Sequence, residues 1–212
     1  MNVYADLKLY GDRQQLLQAV ADIEAALADG WTRSRELEGR IKAGPDVRCF
    51  VCTENANRRP ASLWFGEGRD HTSWSVNNIV PTTAARLSEG QYNAILEDFR
   101  ARFVEPVAAR LGLRVEMGKT AEGLEDWMSD EAADKLRNFS AAANKSTGSA
   151  HPLDKERWFG FLVAVHESGK APDASTLQRW LTEEDDWPQE IAAELAIEFE
   201  NGLALLKYYD AL

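Results

Sequence analysis

Val3-Tyr4-Ala5-Asp6-Leu7-Lys8-Leu9-Tyr10, followed by Gly11 and then Asp12-Arg13-Gln14-Gln15-Leu16, is the stretch that decides the fold. Val3, Ala5, Leu7 and Leu9 alternate with other residues, the period of a strand with one buried face. Gly11 turns the chain, and Asp12 with Gln15 has the spacing of a capping box. Leu16, Val20, Ile23 and Leu27 then recur at helical spacing up to Gly30, a C-terminal stop, so a helix is expected over 13–29. A strand that hands over to an amphipathic helix in this way needs a sheet to complete it.

Further strands are expected at 31–37, 47–53, 61–65 and 72–79, separated by breaks at 44–45, 55–60 and 66–70. Breaks this short favour antiparallel neighbours. Ser88 and Gln91 repeat the capping-box spacing, and Tyr92, Ile95, Leu96, Phe99, Phe103, Val107 and Leu111 trace the apolar stripe of a long helix. Pro106 predicts a kink or an early stop within it. Gly112 closes the helix and 113–117 reads as a last short strand. From 118 onward strand signals cease, and helices are expected near 130–142, 153–167, 174–184 and 188–208. The fold class is therefore α+β. An antiparallel sheet with two helices on one face, β-α-β-β-β-β-α-β, occupies 1–118. An all-helical part, 119–212, packs directly on it or forms one compact unit with it.

The net charge of −11 is unevenly placed, with −1 in residues 1–118 and −10 in 119–212. An acidic surface repels phosphate backbones and anionic lipid, which argues against nucleic-acid and membrane partners. No apolar run reaches the roughly 20 residues of a membrane span. The opening residues lack the basic start and apolar core of a signal peptide, so a cytoplasmic protein is expected. Cys49 and Cys52 are the only cysteines, and on a strand residues three apart point to opposite faces. They are expected to be buried structural thiols. No metal and no cofactor are expected: His151 and His166 would lie about 22 Å apart along one helix.

Chemistry is concentrated in one loop, Asn144-Lys145-Ser146-Thr147-Gly148-Ser149-Ala150-His151-Pro152. Lys145-Ser146-Thr147 lacks the glycine-rich turn before the lysine that wraps a nucleotide's phosphates. As a set, Lys145, Ser146, Thr147, Ser149, His151 and Arg157 are candidates to hold a phosphate or carboxylate at a helix N-terminus. Ser146 or Ser149 with His151 as base is the nucleophilic version of the same site. The other reading is that these residues cap the two flanking helices.

A second candidate surface is acidic. Glu183, Glu184, Asp185 and Asp186 lead into Glu190, Glu194 and Glu198 at successive i+4 positions, with Ile191, Leu195, Phe199, Leu203 and Leu206 on the other side. This face suits a basic protein partner. Most of the seven tryptophans fall on core stripes, Trp64 and Trp74 in the sheet–helix core among them, while Trp127 and Trp187 at helix edges are the ones expected to be exposed. The favoured function is a non-enzymatic protein-binding module using the acidic helical surface. The alternatives are a small-anion-binding protein or enzyme using 145–151, and a structural subunit whose 88–111 helix exposes an apolar face. The sequence does not fix the oligomeric state.

Overall fold

The computed structural model describes residues 1–42, 44–55, 58–84 and 86–212. Of the expected break at 55–60, residues 56 and 57 lie outside the described residues. The chain divides into two compact units, 2–120 and 121–212, the second also taking in Met1.

In the first unit, β1 (Leu7–Tyr10), β2 (Trp31–Arg33), β3 (Val47–Cys52), β4 (Ala61–Glu67), β5 (Ser73–Pro81) and β6 (Arg114–Met117) form one antiparallel sheet in the order β2-β3-β4-β5-β1-β6. Its registers align Leu9 with Trp74 and Val115, Phe50 with Leu63, Leu63 with Ile79, and Phe65 with Val76. These residues share one face, and α1 (Arg13–Ala26) and α3 (Glu89–Phe99) close it with Leu16, Val20, Ile23, Ile95, Leu96 and Phe99 in the same core. Phe99 lies 5.3 Å from Trp31, 5.3 Å from Phe50 and 6.0 Å from Phe65 between ring centroids, so the helix is keyed to three strands by one side chain. The expected α+β architecture, with both long helices on one face, is what the chain forms.

Local departures have physical causes. The strand expected at 31–37 stops at Arg33, and α2 (Arg35–Arg40) begins at once. Ser34 caps it by accepting from the Leu37 N–H at 3.3 Å, and Glu36 and Glu38 fill its first turn. The first strand starts at Leu7 rather than at residue 3, because Asn93 takes up the main chain before it (Ala5 N–H to Oδ1, 2.9 Å; Nδ2 to Val3 O, 2.7 Å). Pro106 neither stops nor ends the long helix. A π-helical turn, Arg100–Val104, sits just before it, and α4 (Glu105–Leu111) carries on. The wider turn accommodates a ring that would crowd the carbonyl four residues back. The stripe of this helix is spent inward: Ile95, Leu96, Phe99, Phe103 and Val107 are buried and Tyr92 and Leu111 partly so. It leaves no apolar face for oligomerisation among the described residues.

Cys52 packs in the core face while Cys49, beside Trp64, lies on the other, and both are free and buried. Burial pushes the Cys49 thiol up to about 12. Trp64 therefore does not join the sheet–helix core as expected. β4 alternates without interruption, so Leu63 and Phe65 face the core and Trp64 stands half-buried on the far face. The extra residue of the bulge, Asn77, is on β5 and lets Val76 and Ile79 both face inward.

The second unit is helical: α5 (Leu124–Trp127), which the sequence pattern does not announce, α6 (Asp130–Ala142), α7 (Pro152–Ser168), α8 (Ala174–Glu183) and α9 (Gln189–Asp210). Phe139, Trp158, Phe161 and Phe199 form its aromatic spine, with successive centroids 4.9, 5.1 and 5.7 Å apart. Gly202 lets α9 approach α7: a Cβ there would stand 2.6 Å from Leu162 Cδ1. No helix among the described residues is long and apolar enough to cross a membrane.

The folded first unit depends on charges as well as packing. Arg58, its side chain 2% exposed, is paired to Asp98. Asp98→Ala should cost about 3 kcal/mol in urea unfolding, because it strands a buried guanidinium. Arg40→Ala, at an exposed pair with Glu36, should cost no more than about 0.5 kcal/mol. Glu38 tests the acid limb. Burial raises its carboxyl pKa, but bonds from Arg33 and the Cys49 N–H outweigh that and hold it below the usual range. Its stabilisation is complete above the unfolded value of about 4.3 and is lost as pH falls through the lower folded value. Glu38→Gln should therefore flatten the fall in Tm on acidification and leave its shape near neutrality unchanged.

Candidate functional site

The loop between α6 and α7 is built on Asn144. Its Oδ1 accepts from the Ser146 N–H (3.0 Å) and Ser146 Oγ (2.8 Å), and its carbonyl accepts from the Thr147 and Gly148 N–H groups, both at 3.0 Å. This Asx turn reverses the chain, and Gly148 occupies the left-handed region at φ +59. His151 caps α7 by accepting at Nδ1 from the Leu153 N–H at 3.3 Å, and Pro152 takes the first helical position. Residue type alone explains this local form: Asn for the turn, Gly for the positive φ, Pro where no N–H is needed.

The six candidate side chains do not converge. Lys145 Nζ donates to the Asp185 carbonyl, stands 3.7 Å from Asp185 Oδ2 and lies 5.8 Å over the Trp187 ring. Ser146 and Thr147 turn back on Asn144. Ser149, buried, donates to Glu198 Oε2 at 2.8 Å. Arg157 is held by Asp154 at 2.7 Å. No serine–imidazole hydrogen bond exists here among the described residues. The adjoining cavity, about 210 Å³, is reached by Thr147 and Ser149 of the six, and its charged lining is Lys155, Glu194 and Glu198. Two carboxylates against one ammonium give it the wrong sign for an anion.

The acidic stretch separates into two kinds of residue. Glu183 pairs with Arg179 at 2.9 Å, and Glu184 with the Met1 amino group at 2.7 Å. Asp185 is a latch that accepts from Ser140 Oγ, from Lys145 and from Trp187 Nε1 (3.3 Å). This latch corrects the expectation for Trp187, which is 3% exposed and stacks on Phe139. Asp186 makes the left-handed turn at φ +51 that feeds α9. Glu190, Glu194 and Glu198 are exposed, Glu198 being tied to Ser149.

The α9 outer face also carries what the acidic pattern hid. Ile197, Leu205 and Tyr208 are 60, 67 and 65% exposed. At 100° per residue they fall on the same side as Glu190 and Glu194, opposite Ala192, Phe199 and Leu203. The face is acidic over its first turns and apolar over its last. The spacing of Ile197, Leu205 and Tyr208, with the polar Asn201 between them, is legible in the sequence as a second stripe beside the core one.

Among the described residues no three His, Cys, Asp or Glu side chains come together as metal ligands. Phosphate and citrate should leave the melting curves of wild type and Lys145→Ala shifted alike; a rise of several degrees in wild type that the variant loses would restore the anion site. Comparison with protein-family models, with curated proteins and with solved structures finds no match, so the chemistry of these residues is the guide to function.

Proposed function

We propose that the chain is a non-enzymatic binding module that engages a basic protein partner through the outer face of α9. The observation that carries this is the pairing, on one exposed helix face, of Glu190 and Glu194 with Ile197, Leu205 and Tyr208. Exposed carboxylates steer a basic surface and raise the encounter rate. Exposed large apolar and aromatic side chains supply the desolvated contact that holds it. The charge of −10 over 119–212 supports the sign of the partner and disfavours nucleic acid. Two free thiols held apart accord with a reducing compartment such as the cytoplasm. The small-anion reading has less support, since Lys145, Ser149 and Arg157 are each taken by an internal acceptor.

The test compares immobilised wild type with Glu190→Gln/Glu194→Gln and with Tyr208→Ser. Glu198 is left intact because its substitution also breaks the Ser149 bond. The expected result is saturable capture of a basic protein, weakened about tenfold or more by the double variant at low salt and reduced by Tyr208→Ser at any salt. Equal capture by all three proteins at low salt removes the reading.

A further inference from the structure

A strand edge in the first unit is left open over a cavity. The Thr82 N–H donates to the Pro60 carbonyl at 3.1 Å, which makes 60 and 82 a hydrogen-bonded pair. In an antiparallel ladder such pairs alternate with non-hydrogen-bonded ones, so 61/81 and 63/79 are of the second kind. The main-chain N–H and C=O of Ile79, and the C=O of Pro81, therefore point away from β4, toward the side on which β1 pairs. But β1 pairs with β5 only at Ser73, Trp74 and Ser75. Before Leu7 the Ala5 N–H and the Val3 C=O go to Asn93, whose carboxamide both accepts and donates there as a neighbouring strand would. The Val3 N–H donates to the Thr120 carbonyl, and the Asp6 C=O accepts from the Gly118 N–H.

The edge at Ile79 thus faces a cavity of about 490 Å³ instead of a strand, within the range of peptide and small-ligand sites. Ile79, Leu87, Tyr4 and Tyr92 supply apolar walls, and the two tyrosines meet edge to face at 5.0 Å. Tyr4 Oη reaches the Leu87 carbonyl at 3.4 Å, which fixes one side of the opening. Arg86 is the one charged lining group among the described residues and forms no ion pair among them. An open strand edge, an apolar wall and one guanidinium are the parts that recognise an extended chain ending in a carboxylate.

We propose that this cavity binds the C-terminal end of an extended peptide. The peptide main chain pairs with Ile79, its last apolar side chain enters between Tyr4, Leu87 and Tyr92, and its carboxylate meets Arg86. The site is independent of the α9 face, and neither reading needs the other.

Fluorescein-labelled short peptides ending in Val, Leu or Phe, each as free acid and as C-terminal amide, are titrated against the full chain and against Arg86→Gln. Fluorescence polarisation reads binding, and hydrogen exchange reads the Ile79 amide. The free acids should bind, amidation and Arg86→Gln should each weaken them about tenfold or more, and the Ile79 amide should become protected. Arg86 is exposed, so its substitution leaves the core untouched. Absence of binding by every peptide overturns the proposal. So does equal binding of acid and amide with Arg86→Gln unaffected, which would mean an apolar cavity without end recognition. Ile79 protection that rises with protein concentration in the absence of peptide would assign the edge to a second copy of this chain and also overturn it.

Discussion

The buried guanidinium of Arg58 organises one end of the sheet. Its Nη1 bonds to Asp98, its Nη2 donates to the Asp29 carbonyl at 2.6 Å and its Nε to the Thr53 carbonyl at 3.0 Å. Trp31 Nε1 shares the same Asp98 oxygen at 2.7 Å and its ring lies 5.2 Å from the guanidinium. One cation therefore joins the turn before β2, the end of β3 and the long helix. A charge this deep is tolerated only when its donors are matched, and here three acceptors meet it. The constraint also sets the core. With Asp98 anchored, the next residue, Phe99, is held between Trp31, Phe50 and Phe65.

How far the sequence reveals this depends on whether a signal is local. Alternation at Leu7 and Leu9, the caps at Asp12 and Ser88 and the stripe from Tyr92 to Leu111 are local. Each of these elements forms, the strand shorter at its start and the first helix shorter at its end than expected. Trp31-Thr32-Arg33-Ser34-Arg35 reads equally as a longer strand, and the Ser34 cap together with the Arg33 bonds to Glu24 and Glu38 accompanies the change to strand then helix. Strand order has no local signal, since β1 pairs with β5 and β6 across long stretches of chain. The open edge at Ile79 is invisible for the same reason. It exists because Asn93, far along the sequence, draws residues 3–5 off the sheet.

The candidate loop shows a different limit. Ser, Thr, Asn, His and Lys before a helix have the same composition whether they hold a ligand or satisfy the helix ends. Here long-range partners decide. Asp185 takes Lys145, and Glu198 takes Ser149, so the two segments singled out for separate roles meet each other. Part of the acidic stretch is thereby structural. Asp185 neutralises a cation and orders Trp187, whereas Glu190 and Glu194 form no ion pair among the described residues. Net charge counts these residues alike, and only their partners separate them.

The same distinction bears on catalysis. A general acid or base works best with a pKa near the working pH, and active sites shift groups toward it. In the groups whose surroundings move them most, the shift runs the other way. Burial would raise Glu38 and Glu67, but donors from Arg33 in one case and from His71 and Arg13 in the other hold both low. Bonds from Arg100 and Arg137 lower Glu97 and Glu125 and are themselves strengthened as cations. Burial raises both thiols and the Tyr92 phenol, which keeps them neutral. Each environment fixes a side chain in its resting protonation state, which suits ion pairs and packing.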